Sequence, residues 1–182
     1  MTVAAPTLRY KSISIALHWL MLLLFVGVYT SIEIRSNFPR GSDIREFVKA
    51  THFTLGLTIL ALVVARIAAR LMNPVPPITP APPVWQARFA GLVHILLYGL
   101  MIGSPIAGWL ILSGEGASIP FWGLELPPLI GPNKDFAKQV KELHETAGTI
   151  GYWVIGLHAL AALFHHYIVK DDTLRRILPW RS

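Results

Sequence analysis

The sequence predicts an all-α integral membrane protein, a bundle of four transmembrane helices. Three observations predict it. Of 182 residues, 53% are hydrophobic and only 14% are charged, where a soluble domain carries about 25% charged residues. The mean hydropathy is +0.52. The ionisable residues are also clustered, which leaves four long uncharged stretches, each near the roughly 20 apolar residues that cross a hydrocarbon core about 30 Å thick. Neither an internal repeat nor a soluble domain is legible, so residues 1–182 read as a single membrane domain.

Each stretch must be helical, because lipid offers backbone polar groups no other partner. The first covers about residues 13–32, with His18 as its one strongly polar interruption. It is too long for a secretory signal and Ser31-Ile32-Glu33 is no cleavage site, so it is expected to be retained. The second has an uncharged core at 50–65, bounded by Lys49 and Arg66, and extends over about 44–70. The third covers about 89–114, and the fourth about 142–169. Between the second and third lies NPVPPITPAPPV, residues 73–84, which reads as a stiff polyproline spacer. Between the third and fourth, residues 115–141 form the one sizeable loop on the opposite side.

Charge orients the bundle. Arg9 and Lys11, then Arg66, Arg70 and Arg88, then Lys170, Arg175, Arg176 and Arg181 share one side with two acids, Asp171 and Asp172. The other side carries Arg35, Arg40, Arg45, Lys49, Lys134, Lys138 and Lys141 against eight acids. The excess of Lys and Arg puts both termini and the Pro-rich connector in the cytoplasm of a bacterial inner membrane. A net charge of +6 on so few charged residues reflects this flanking rather than a nucleic-acid surface. Cysteine is absent, which excludes disulfides, thiolate-held iron–sulfur clusters and covalent c-type haem. Any redox cofactor must be held by the seven histidines.

Ionisable residues inside a span mark function by default, because burying them without a partner is unfavourable. His144 and His158 are 14 residues apart, about 21 Å along a helix and within about 40° of one face. His52 lies 14 residues before Arg66, and so about 21 Å above the cytoplasmic edge, while His18 is near that edge. Depth therefore pairs His52 with His144 and His18 with His158. His165 shares the face of His144, but at about 31 Å from it would use the whole hydrocarbon thickness. Two histidine pairs at two levels are what two low-spin b haems require, with neutral imidazoles on both faces of each iron. Gly56 and Gly148, each four residues after an upper histidine, fit either room for a porphyrin or a helix–helix contact. A zinc site fits less well: His144-Glu145 lacks the second histidine of a metalloprotease motif, and His165 and His166 point about 100° apart.

The segments SIALHW (14–19), KATHFTLG (49–56), HETAGTIGYWVIGLHALAALFHHY (144–167) and KDDTLRRILP (170–179) resemble the bacterial cytochrome b561 family. The likeness is nearest to its small diheme superoxide-oxidising members, and it covers nearly the whole chain. The resemblance implies a four-helix diheme protein with His18 and His158 on the lower haem and His52 and His144 on the upper, the pairs that depth gives independently. It also implies an activity: superoxide oxidised to dioxygen on the periplasmic side, its electron passing both haems to ubiquinone. A basic funnel for that anion would draw on the loop-side cations Arg40, Arg45, Lys49, Lys134, Lys138 and Lys141.

Near the lower level, His94, His165, His166 and Tyr167 are candidates for a quinone pocket, or else for interfacial anchoring. Arg9 and Lys11 are candidates for the lower haem propionates, Lys141 and Arg45 for the upper. Trp19, Trp85, Trp109, Trp122 and Trp153 read as belt residues. Besides lipid, the expected partners are quinone and superoxide, with no obligate protein partner. The rival reading is a cytochrome b subunit that links a soluble dehydrogenase or hydrogenase to the quinone pool, though no long extension offers a docking surface. A non-redox transporter with a histidine relay leaves the paired depths unexplained.

Overall fold

The computed structural model describes residues 9–180; Arg181, counted above among the basic residues of the C-terminus, lies outside them. Four long helices follow in order: α1 (Ser12–Ile34), α2 (Asp43–Met72), α3 (Val84–Glu115) and α4 (Lys134–Phe164). All four are long and apolar enough to cross a membrane. Their outward faces carry large apolar side chains such as Leu23, Val64, Ile95, Trp153 and Leu160, each more than 60% exposed. In water such a surface would drive aggregation; against acyl chains it is the expected coat.

The helix ends follow local chemistry. Ser42 accepts a hydrogen bond from the Arg45 N–H and so caps α2, and Asn133 accepts from the Phe136 N–H and caps α4. Asp43 and Asp135 sit in the first turns of these helices, where the helix dipole favours negative charge. The Asn133 cap starts α4 two turns earlier than the predicted fourth span, so residues 134–141, expected as loop, are helical. Gly116, at φ 68°, closes α3 with a left-handed residue that glycine adopts without steric penalty. After α4 the chain makes one π turn, His165–Val169, and Lys170 reverses it at φ 60°.

Packing is sequential: α1 lies on α2, α2 on α3 and α3 on α4. The main core joins the first three helices through Met21, Ile59, Val63 and Met101. Two glycines set close approaches. A Cβ on Gly27 would fall 2.9 Å from Leu55 Cδ1, and one on Gly114 would fall 2.9 Å from the Asn133 carbonyl oxygen and 3.0 Å from Ala137 Cβ. Helix α4 stands apart from α1 and α2. Among the described residues, no Cα of α4 comes within 8 Å of one in either helix. The gap is spanned by side chains alone.

The 116–133 connector is not a free loop. Its two-residue strands β1 (Pro120–Phe121) and β2 (Leu124–Glu125) form a hairpin that lies back on α2. Thr54 donates to the Pro120 carbonyl, Trp122 Nε1 donates to the Thr58 hydroxyl, and Ile119 is buried with Leu57 and Leu112. At the opposite end both termini and the Pro-rich connector are knitted together. Asp172 accepts from the Thr79 N–H and gives its own N–H to the Thr79 carbonyl. Arg176, buried, donates to the Pro76 carbonyl and lies 3.5 Å from the Asp172 carboxylate. Trp19 Nε1 donates to the Ile177 carbonyl, 2.8 Å away.

Candidate functional site: histidine pairs across the gap

The gap between α4 and the α1–α2 pair is where the intramembrane histidines meet. Near the hairpin end, the His52 ring on α2 faces the His144 ring on α4, with centroids 6.2 Å apart and planes at 85°. Near the end that carries the termini, His18 on α1 faces His158 on α4, also at 6.2 Å, with planes at 67°. A metal–imidazole bond is about 2 Å long, and two of them with half a ring beyond each span close to that separation. Among the described residues no three His or carboxylate groups converge as a metal cage. An ion here would take two protein ligands and bring the rest in its own macrocycle.

The two glycines that the sequence left open make no close helix contact through a Cβ position. A Cβ on Gly56 or Gly148 would meet no atom within 4 Å, unlike one on Gly27 or Gly114. Both therefore have room beside them, as do other glycines of the spans such as Gly99 and Gly103.

The loop-end pair is held by backbone oxygens. His52 Nδ1 lies 3.1 Å from the Val28 carbonyl, with the Ser31 hydroxyl at 3.4 Å, and His144 Nδ1 lies 3.0 Å from the Ser104 carbonyl. A carbonyl only accepts, so each Nδ1 carries the proton and each Nε2 is left with a free lone pair. Ser104 directly precedes Pro105, the one proline inside α3, where the backbone ladder lacks a donor. Gly108, one turn on, lets the His144 ring approach, with its hypothetical Cβ 3.9 Å from His144 Cε1.

The terminal-end pair differs. His18 Nδ1 faces the Arg66 guanidinium at 3.3 Å. His94 on α3 adds a third ring, 5.4 Å from His158. Its three companions from the sequence analysis go elsewhere. His165 Nδ1 pairs with the buried Asp171 carboxylate at 2.5 Å, Tyr167 is 66% exposed, and His166 Nδ1 is buried without a hydrogen-bond partner among the described residues. Of the four cations proposed for propionates, Arg9 donates to the Leu178 and Trp180 carbonyls and Arg45 to those of Arg35 and Phe38, while Lys11 and Lys141 are exposed. Of the belt candidates, Trp85, Trp122 and Trp153 are largely exposed, Trp122 with its Nε1 also bonded to Thr58, while Trp19 is tied to the Ile177 carbonyl.

Sequence reasoning missed several participants. Val28 and Ser104 act through backbone oxygens, which no residue type announces. Arg66 served only as a depth marker, although an arginine at the edge of a span was a signal. Tyr29 and Tyr152 also cross the gap: their rings lie 4.3 Å apart, Tyr29 donates to the Gly148 carbonyl, and Tyr152 donates to Glu33 at 2.6 Å.

Comparison with known proteins identifies the family of the chain. The family model for prokaryotic cytochrome b561 matches residues 9–180. Cytochrome b561 homolog 1 of Escherichia coli (strain K12) is 38% identical over 174 residues, covering 96% of this chain and 99% of that protein. Probable superoxide oxidase CybB of Yersinia pestis is 41% identical over 171 residues, or 94% and 96% of the two chains. Cytochrome b561 homolog 2 of E. coli is 27% identical over 181 residues.

Proposed function

Because the chain belongs to the prokaryotic cytochrome b561 family, membrane electron carriers that bind haem b, we propose that it is a diheme superoxide:ubiquinone oxidoreductase. The observation that carries this reading is the double crossing of the gap, two histidine pairs of equal span at two depths. The name of the Yersinia pestis relative supports the choice of donor. In this reading His52 and His144 hold one haem towards the periplasm, and His18 and His158 hold the other towards the cytoplasm, where both termini lie. The bound haems supply one-electron transfer, and the chain supplies their placement and surroundings.

The balanced reaction takes two superoxide anions, one quinone and two protons to two dioxygen molecules and one quinol. Donor chemistry is outer-sphere, so no side chain needs to form a bond to superoxide. Loop-end cations attract the anion. At the other end quinone reduction requires proton donors as well as an electron. His94, beside His158, and His165, paired with Asp171, are the groups we assign to that task, with Tyr167 at the lipid-facing margin.

The test is a reduced-minus-oxidised spectrum of the purified protein with haem quantified per chain, followed by addition of superoxide and then of ubiquinone. Two b haems per chain, reduced by superoxide and reoxidised by quinone, are expected. Two haems indifferent to superoxide would instead favour a subunit fed by a soluble dehydrogenase or hydrogenase. A colourless protein would end the diheme reading altogether.

A further inference from the structure

The two histidine pairs differ in what their Nδ1 atoms face. At the loop end both Nδ1 atoms lie within hydrogen-bond reach of carbonyl oxygens, Val28 and Ser104. Such bonds make an imidazole a more basic ligand and favour the more positive state of the metal it holds. At the terminal end His18 Nδ1 meets a cation, the Arg66 guanidinium. Arg66 is half-buried.

Arg66 can only donate, so in this contact His18 Nδ1 must be the acceptor and the proton of a neutral ring sits on Nε2. A histidine that ligates iron through Nε2 needs the reverse tautomer, with the proton on Nδ1. The two arrangements are incompatible. Once His18 holds a haem, the guanidinium must turn to another acceptor. The chain has only two acidic side chains at this end, Asp171 and Asp172. Asp171 is taken by His165 and the Thr173 N–H, and Asp172 by the Thr79 N–H and Arg176. Among the described residues no carboxylate pairs with Arg66. A half-buried arginine in a membrane span is stabilised by a polar or anionic partner, and the group held by His18 and His158 would bring one in its propionates.

Resting on the diheme reading, we propose that Arg66 binds a propionate of the terminal-end haem and that its charge makes this haem the stronger electron acceptor of the two. Electron flow from the loop end to the terminal end is then built into the surroundings of the two sites: carbonyl oxygens behind the imidazoles of one, a guanidinium beside the other. A positive charge beside a site favours its reduced state, and a water-poor setting preserves that effect.

The experiment is an optical redox titration of the full-length, haem-loaded protein, with Arg66→Gln and Arg66→Lys beside the unaltered chain. Single-haem variants, His52→Ala and His158→Ala, assign the two components. The terminal-end component is expected to have the higher midpoint. Arg66→Gln should lower that midpoint while leaving the other in place, and Arg66→Lys, which keeps the charge, should restore most of it. A residue with a packing role only would move neither. If Arg66→Gln sheds the terminal-end haem while Arg66→Lys retains it, the ion pair is supported. Loss from both alike would overturn it, as would a lower midpoint at the terminal end or unchanged midpoints in Arg66→Gln with both haems present. In each of these outcomes the unaltered chain still carries two haems, so failure of this inference is distinct from failure of the diheme reading.

Discussion

His52 and His144 reach each other across a gap that backbone does not close. Replacing either by alanine is expected to lower haem content from two per chain to one, and His18→Ala or His158→Ala to remove the other, as pyridine haemochrome assay would measure. His94→Ala should keep both haems, because His94 stands beside a pair rather than completing one; loss of a haem from it would reassign the ligands. Gly148 offers a test free of ligand chemistry. A Cβ there meets nothing, so Gly148→Ala should be tolerated, whereas Gly148→Leu would fill the space and displace the loop-end haem at unchanged helix content.

At the scale of elements, two contacts decide where helices and tail are held. Gly114 allows α3 and α4 to touch at the Asn133 cap. Gly114→Val should force them apart and destabilise the fold by about 1–3 kcal/mol, the usual range for overpacking, seen as a lower midpoint of thermal unfolding in detergent. At the opposite end the tail is fixed by charge. Burial pushes the Asp171 carboxyl up, but the hydrogen bonds from His165 and Thr173 outweigh it and hold the group below its ordinary value of 3.8. A depressed carboxylate adds stability that is complete above its unfolded pKa and fades as pH falls through the folded one. Tail docking should therefore be insensitive to pH above about 5 and weaken only in stronger acid, below the usual aspartate pKa of about 3.9. The protection factor of the Thr173 amide in hydrogen exchange reads this directly; a loss already between pH 6 and 7 would assign the docking to another group.

For the whole molecule, the four helices pack in sequence, leaving a gap between α4 and the α1–α2 pair, with dissimilar ends. The loop end has a hairpin folded onto α2, and the other end is a clasp of three chain segments. If the proposed direction holds, protein reconstituted in liposomes with quinone in the bilayer should respond vectorially. Superoxide generated on the side of the hairpin should reduce the haems, and superoxide confined to the side of the termini should not. Equal rates from both sides would remove the assignment of the donor site. Removing haem should also lower the unfolding temperature, because a ligand that binds only the folded chain stabilises it by mass action and here fills a gap that side chains leave open.

The sequence by itself determined the class, the number of helices and the pairing of histidines. Those features rest on one-dimensional quantities: uncharged run length set by bilayer thickness, and a rise of about 1.5 Å per residue that converts spacing into depth. His52 and His144, like His18 and His158, could be matched because lipid holds all four helices to a common axis. Lateral distance and backbone placement were beyond it. That Gly56 and Gly148 face a void while Gly27 and Gly114 face neighbours depends on which helices touch, which periodicity does not encode. The Val28 and Ser104 carbonyls, the hairpin on α2, the early start of α4 and the Asp172–Thr79–Arg176 clasp are likewise contacts between distant segments. Only the tertiary structure decided them, because a backbone oxygen is present at every residue and acquires a role only from what the fold sets against it.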